Sequence, residues 1–288
     1  MQSKDPIKII ECPRDAMQGW KHMISTEDKI RYLQALLKVG FDTIDFGSFV
    51  SPKLIPQMAD TKEVVSGVET KNSNSKLLAI IANLRGAEEA LQFDKIAYLG
   101  FPFSISQTFQ QRNTNSDIAT SFERVREIQE LCIKKGKTLV VYISMGFGNP
   151  YGDPYNEKIV FEWISKLSKL GIGIFSLADT VGVASAEQVY AITSYAIKEF
   201  SNLEIGVHLH SSPNNWKEKI DAALEAGCAR FDGALKGYGG CPMANDDLVG
   251  NMNTELLVSY FTGKNLLRGI DMEAILEASQ IASEIFEK

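Results

Sequence analysis

Two of the chain's three histidines, His208 and His210, stand two residues apart in the apolar run Gly206-Val207-His208-Leu209-His210. Residues two apart in an extended strand face the same way. Both imidazoles therefore leave one face of this segment, either as core histidines bonded to neighbours or as ligands of a divalent metal. About thirty residues later comes Gly239-Gly240-Cys241-Pro242. Glycines on one side and proline on the other make this a loop, and it reads as a movable flap that carries a thiol over the imidazoles.

Near the other end of the chain, Arg14 and Asp15 follow Cys12-Pro13. Asp15, His208, His210 and one amide or water make a mixed nitrogen and oxygen set. On softness alone it suits Mg²⁺, Mn²⁺ or Zn²⁺; imidazoles favour the transition metals and cellular abundance favours Mg²⁺. Asn251 is a candidate for the amide, or else a helix cap. Arg14, permanently charged and fork-shaped, suits an oxygen that gains negative charge during a reaction. Asp45 lies in an apolar strand, where an unpaired carboxylate is costly; it either pairs with Arg14 or acts as a base. Asp179 either caps the next helix or bonds a substrate hydroxyl. Cys241, exposed near a cation, would have a lowered pKa and could exchange protons. Arg14, Asp45, Asp179, His208 and Cys241 are thus the candidate catalytic groups, and Asp15, His208, His210 and Asn251 the candidate metal ligands.

Those residues need a scaffold that gathers distant segments. Apolar, β-rich runs at 7–12, 43–47, 77–82, 95–100, 138–144, 173–177, 205–210 and 230–234 alternate with amphipathic stretches. Residues 28–38 place Ile30, Leu33, Leu36 and Leu37 on one stripe, and 121–134 do the same with Val125, Ile128, Leu131 and Cys132. Helical patterns follow at 160–170, 186–200, 216–226 and 254–260, with a last one at 272–286. Eight strand–helix units predict an α/β protein with a (β/α)8 TIM barrel as one domain over 1–288, the last helix packing outside it or capping it. An open doubly wound sheet is the alternative, but no G-x-G-x-x-G follows the first strand. Active sites of such barrels lie at the C-terminal strand ends, which is where the candidate residues fall.

The chain has 288 residues, 44% of them hydrophobic and 23% charged, with net charge −6. No basic block suggests nucleic acid or an anionic membrane as partner, and no apolar run nears the ~20 residues that span a bilayer. Its four cysteines form no C-x-x-C pair, so neither zinc clusters nor disulfide staples are expected. The N-terminus has neither the apolar core of a secretion signal nor the Arg-rich character of a transit peptide. A cytoplasmic protein is expected.

The chain resembles the 3-hydroxy-3-methylglutaryl-CoA (HMG-CoA) lyase family nearly end to end. The resemblance is carried by Pro13-Arg14-Asp15, Ser48-Phe49-Val50-Ser51-Pro52-Lys53, Ala178-Asp179-Thr180-Val181-Gly182, Val207-His208-Leu209-His210, Gly239-Gly240-Cys241-Pro242 and Gly250-Asn251. It implies a metal-dependent cleavage of HMG-CoA to acetyl-CoA and acetoacetate, a step of leucine degradation, in a homodimer that takes a CoA-thioester substrate. It further implies Asp15, His208, His210 and Asn251 as ligands of Mg²⁺ or Mn²⁺, Arg14 as the enolate-stabilising arginine and Cys241 as the thiol of proton transfer. Several positions depart from the family pattern. Asp45 stands for a usual glutamate, Ala16 for glycine, Asn149 for cysteine and Ser211 for aspartate, and Lys236 lies in a loop segment that usually reads Val-Ala-Gly-Leu. Two other functions fit parts of the pattern: a condensing acyltransferase of the isopropylmalate or homocitrate synthase type, and an inactive metabolite-binding barrel.

Overall fold

A computed structural model describes residues 6–240 and 250–287. The first half runs β1 (Lys8–Glu11), α1 (Pro13–Gln18), α2 (Thr26–Val39), β2 (Thr43–Ser48), α3 (Thr61–Gly67), β3 (Lys76–Ile80), α4 (Leu84–Ala90) and β4 (Ile96–Ser104). Then come α5 (Gln107–Thr114), α6 (Ile118–Lys135), β5 (Thr138–Ser144), α7 (Glu157–Ser168), β6 (Ile174–Asp179), α8 (Ala186–Glu199) and β7 (Glu204–Ser211). The chain closes with α9 (Trp216–Glu225), β8 (Arg230–Gly233), β9 (Gly250–Asn251), α10 (Thr254–Gly263) and α11 (Met272–Phe286).

Strands β1 to β8 pair in parallel in sequence order, and β8 returns to β1 through Lys8 opposite Arg230 and Glu11 opposite Gly233. This is the closed barrel expected from the strand–helix alternation, and the open sheet is excluded. Most of the apolar core fills the layer between barrel and helices. A smaller cluster of Leu78, Ile80, Val140 and Tyr142 fills the barrel interior. Helix α11 packs outside the barrel against α2, with Arg31 to Glu284 and Lys38 to Glu277 across the seam. None of the described helices is long and apolar enough to cross a membrane.

The periodic patterns locate the long helices within a few residues. The short α1, α3, α4 and α5 have too few turns for an apolar stripe to stand out, and the sequence reading passed over them. β9, only two residues long, is held by its antiparallel pairing to β7 rather than by any propensity of Gly250-Asn251.

Glu11 ties three of these elements together. It is fully buried; its Oε1 accepts from the Leu235 amide at 2.9 Å just after β8, and its Oε2 from the Thr254 hydroxyl at 2.6 Å at the start of α10. Burial pushes its pKa up to about 8, only partly opposed by those hydrogen bonds. Below pH 4.5 the carboxyl is neutral in both folded and unfolded chains. As pH rises toward 8 only the unfolded chain loses the proton, so stability falls across this window by an amount on the order of a few kcal/mol. Glu11→Gln keeps an acceptor for the Leu235 amide and, like the protonated acid, offers the Thr254 oxygen a donor, without a titrating group. Melting temperatures from pH 5 to 9 should therefore decline more steeply for the native chain than for this variant. Parallel curves would disprove the assignment.

Candidate active site

Pro13 stands in the first turn of α1, where a missing N–H costs nothing, and the helix begins directly after β1. The turn carries Arg14 and Asp15 across the barrel mouth, and both are buried. From β7, His208 and His210 point into the same space. Their Nε2 atoms are 3.2 Å apart, and an Asp15 carboxylate oxygen lies within 4.8 Å of a ring nitrogen of each. β9 places Asn251 directly opposite His210, and its amide Nδ2 donates to Asp15 Oδ2 at 2.7 Å. Gln18, one turn along α1, donates to the other Asp15 oxygen at 2.8 Å. All four candidate ligands thus converge from three segments of the chain.

The electrostatics of this cluster suit a cation. Burial would raise Asp15, but Arg14 and the two imidazoles bring it down to about 2. Burial and the neighbouring His208 push His210 down to about 3, so its ring is neutral at pH 7. For His208 burial acts downward, yet the bond to Asp232 and its charge leave the pKa raised. Two facing ring nitrogens beside an ionised carboxylate make a donor set of the kind that holds a divalent ion. The residues present fit that group.

Arg14 is held from two sides. Its Nε contacts both Asp45 oxygens at 3.2 and 3.1 Å, Nη2 donates to Asp45 Oδ2, and Nη1 donates to Asp15 at 2.7 Å. A guanidinium has five N–H donors, so the second hydrogens of Nη1 and Nη2 remain for a substrate oxygen. Asp45 therefore takes the pairing alternative. It is fully buried and does not line the cavity, and burial pushes it up to about 6 against the pull of Arg14.

The cavity in front of the cluster encloses about 310 Å³. Arg14, Asp15, His208 and His210 form its polar wall, while Val50, Leu54, Ile80, Pro102 and Phe109 contribute to an apolar one. The Ser48–Pro52 block of the sequence thus supplies a cavity wall through Val50 and Ser51 rather than ligands. Gly239 comes so close to the cluster that a Cβ there would lie 2.6 Å from Asn251 Nδ2 and 2.8 Å from the Asp15 carbonyl oxygen, at a φ of +98°. Only glycine fits at this position beside the ligands. Cys241 lies outside the described residues.

One expectation needs correction. Asp179 does not reach the cavity: it is fully buried, accepts from Lys219 Nζ at 2.7 Å and from the Ala184 amide at 3.1 Å, and holds the turn after β6. Its place at the end of β6 turns it toward the helix layer while Ala178 and Thr180 line the cavity. Of the departing positions, Asn149 makes hydrogen bonds within its own loop, to Tyr151 and Asp153, and lies outside the cavity lining. Asp232, which bonds His208 Nδ1 at 3.1 Å, escaped the sequence reading. The signal was there: Arg230 and Asp232 alternate on one face of an otherwise apolar strand, and charges at such positions need partners inside.

The HMGL-like family model matches residues 7–282 of this chain. The chain belongs to that family. A Pseudomonas aeruginosa 3-hydroxy-3-isohexenylglutaryl-CoA/hydroxy-methylglutaryl-CoA lyase is 33% identical over 276 residues, which cover 95% of this chain and 91% of the relative. The mitochondrial hydroxymethylglutaryl-CoA lyase of Mus musculus is 30% identical over 285 residues, covering 98% and 86%. Among solved structures, an HMG-CoA lyase from Acinetobacter baumannii in complex with coenzyme A and 3-methylmalate superposes with a TM-score of 0.92 at 32% identity, covering 100% of this chain and 93% of that one. The barrel fold is therefore shared over the whole length of this chain.

Proposed function

We propose that this protein is a divalent-metal-dependent carbon–carbon lyase that cleaves 3-hydroxy-3-methylglutaryl-CoA to acetyl-CoA and acetoacetate. The observation that carries this reading is the convergence of Asp15, His208 and His210 on one point beside Arg14 at the barrel mouth. Asp15, His208, His210 and the amide of Asn251 would hold the ion. When bound, it would act as a Lewis acid that acidifies the C3 hydroxyl of the substrate.

The chain's own residues do the rest. Once the C3 hydroxyl has passed its proton to solvent water at the mouth, its oxygen becomes the ketone of acetoacetate as the C2–C3 bond breaks, and the bonding pair stays on C2 as the thioester enolate. The two uncommitted N–H groups of Arg14 hold the enolate oxygen, and Asp45 fixes the guanidinium so that it need not reorganise as charge builds. Cys241, the proton-transfer thiol that the family resemblance implies, would return a proton to C2. The apolar wall formed by Ile80, Pro102 and Phe109 receives the alkyl group on C3.

Purified protein stripped by a chelator should release acetyl-CoA from HMG-CoA only after Mg²⁺ or Mn²⁺ is restored. Acetyl-CoA consumption that requires a 2-oxo acid would instead identify a condensing acyltransferase. No thioester chemistry in either direction would mark an inactive metabolite-binding barrel.

A further inference from the structure

The barrel interior below the mouth holds a carboxylate that the mechanism above does not use. Asp232 projects inward from β8, fully buried, one strand over from His208 on β7, with Val207 and Phe231 in register between them. Its Oδ2 lies 3.1 Å from His208 Nδ1, and Oδ1 has no hydrogen-bond partner among the described residues. Arg230, two residues back on the same strand, sends Nη1 to Glu204 at 3.2 Å and feels the charge of Asp232, with no hydrogen bond between the two among the described residues. The one directed contact of Asp232 is the imidazole.

That contact determines what His208 presents to the mouth. A neutral imidazole carries one proton, and the nitrogen that donates to a carboxylate keeps it. With Nδ1–H held by Asp232, the lone pair is on Nε2, the atom that faces His210 Nε2 and Asp15. The bond also opposes a ring flip that would carry Nε2 out of the cluster, and Tyr142 stands edge-on to the ring at 5.9 Å as a second wall. Among the described residues no carboxylate hydrogen-bonds the His210 ring; its side of β7 is steadied through the backbone, where Lys219 bonds its carbonyl oxygen at 2.9 Å. The two imidazoles are therefore unequal, and one of them depends on a residue that never touches the cavity.

We infer that Asp232 is a positioning residue for the metal site, fixing the tautomer and orientation of His208 and strengthening Nε2 as a donor. The activity consequence rests on the proposed lyase reading; the binding consequence does not. Outer partners of metal-bound histidines typically contribute about 10–100-fold in affinity or activity.

The test measures Mn²⁺ affinity of the chelator-treated protein by calorimetry, and kcat at saturating metal, for Asp232→Ala, Asp232→Asn and His208→Ala. Asp232→Ala should weaken Mn²⁺ binding about 10–100-fold. The isosteric Asp232→Asn, whose amide oxygen can still accept from Nδ1–H, should recover part of that loss and guards against an alanine variant that fails to fold. In the His208→Ala background, Asp232→Ala should cost no further affinity, because its effect runs through that ring. Independent losses that add in the double variant, or native Mn²⁺ affinity in both Asp232 variants, would overturn the assignment. If the native protein binds Mn²⁺ as described but does not cleave HMG-CoA, the lyase reading fails while the role of Asp232 stands or falls on the binding data alone.

Discussion

His210→Ala is expected to lose tightly held metal and to lower kcat by about three orders of magnitude. Each ~1.4 kcal/mol of lost transition-state stabilisation is tenfold in rate, and a Lewis acid contributes several kcal/mol of it. His210 is a suitable ligand because its ring is buried and its pKa is pushed down to about 3, so no proton competes for it at neutral pH. Its position is set by β7 pairing on one side and by Asn251 of β9 on the other. Alanine at this place removes the ring without disturbing Lys219, which bonds the His210 backbone oxygen, so the fold should persist. Metal content after dialysis and steady-state turnover read the two effects separately. Native values for both would take His210 out of the ligand set.

Arg14→Lys should lower kcat by about 10²–10³, the cost of losing one preorganised donor set for a developing oxyanion, while Mn²⁺ affinity changes less than about tenfold. A lysine keeps the positive charge that helps hold Asp15 ionised, so the ligand set survives. It has no planar fork, however, and cannot grip Asp45 through two nitrogens, reach Asp15 and still offer hydrogens to the substrate. Part of the buried pairing of Asp45 is lost as well, and urea unfolding should show a loss of about 1–3 kcal/mol. The informative comparison is kcat against stability. If the folded fraction stays complete under assay conditions and turnover remains native, the arginine holds the mouth together without touching the enolate.

The two imidazoles and the aspartate were legible for different reasons. A period of two along 205–210 is enough to put His208 and His210 on one face, so their pairing needs only local geometry. Asp15 was readable only once eight strand–helix repeats implied a closed barrel, because closure leaves only β8 between β1 and β7. Asp45 posed a question that local reasoning could frame but not answer, and its two contacts to Arg14 Nε and Nη2 answer it. Asp179 shows where the rule of strand ends is too coarse. It lies at the C-terminal end of β6, yet the pleat turns it away from the mouth and Lys219, forty residues on, claims it.

The sequence by itself determined the architecture, the face shared by the two histidines and the family. Repeat spacing and side-chain period are properties of neighbouring residues, and motifs are strings. Only the tertiary structure decided which buried polar groups meet: Asp45 with Arg14, Asp179 with Lys219, Asp232 with His208, and Glu11 as a buried acid between Leu235 and Thr254. Those pairings depend on which side chains a closed barrel traps out of water, and the free energy of a trapped charge is set by partners tens to hundreds of residues away along the chain.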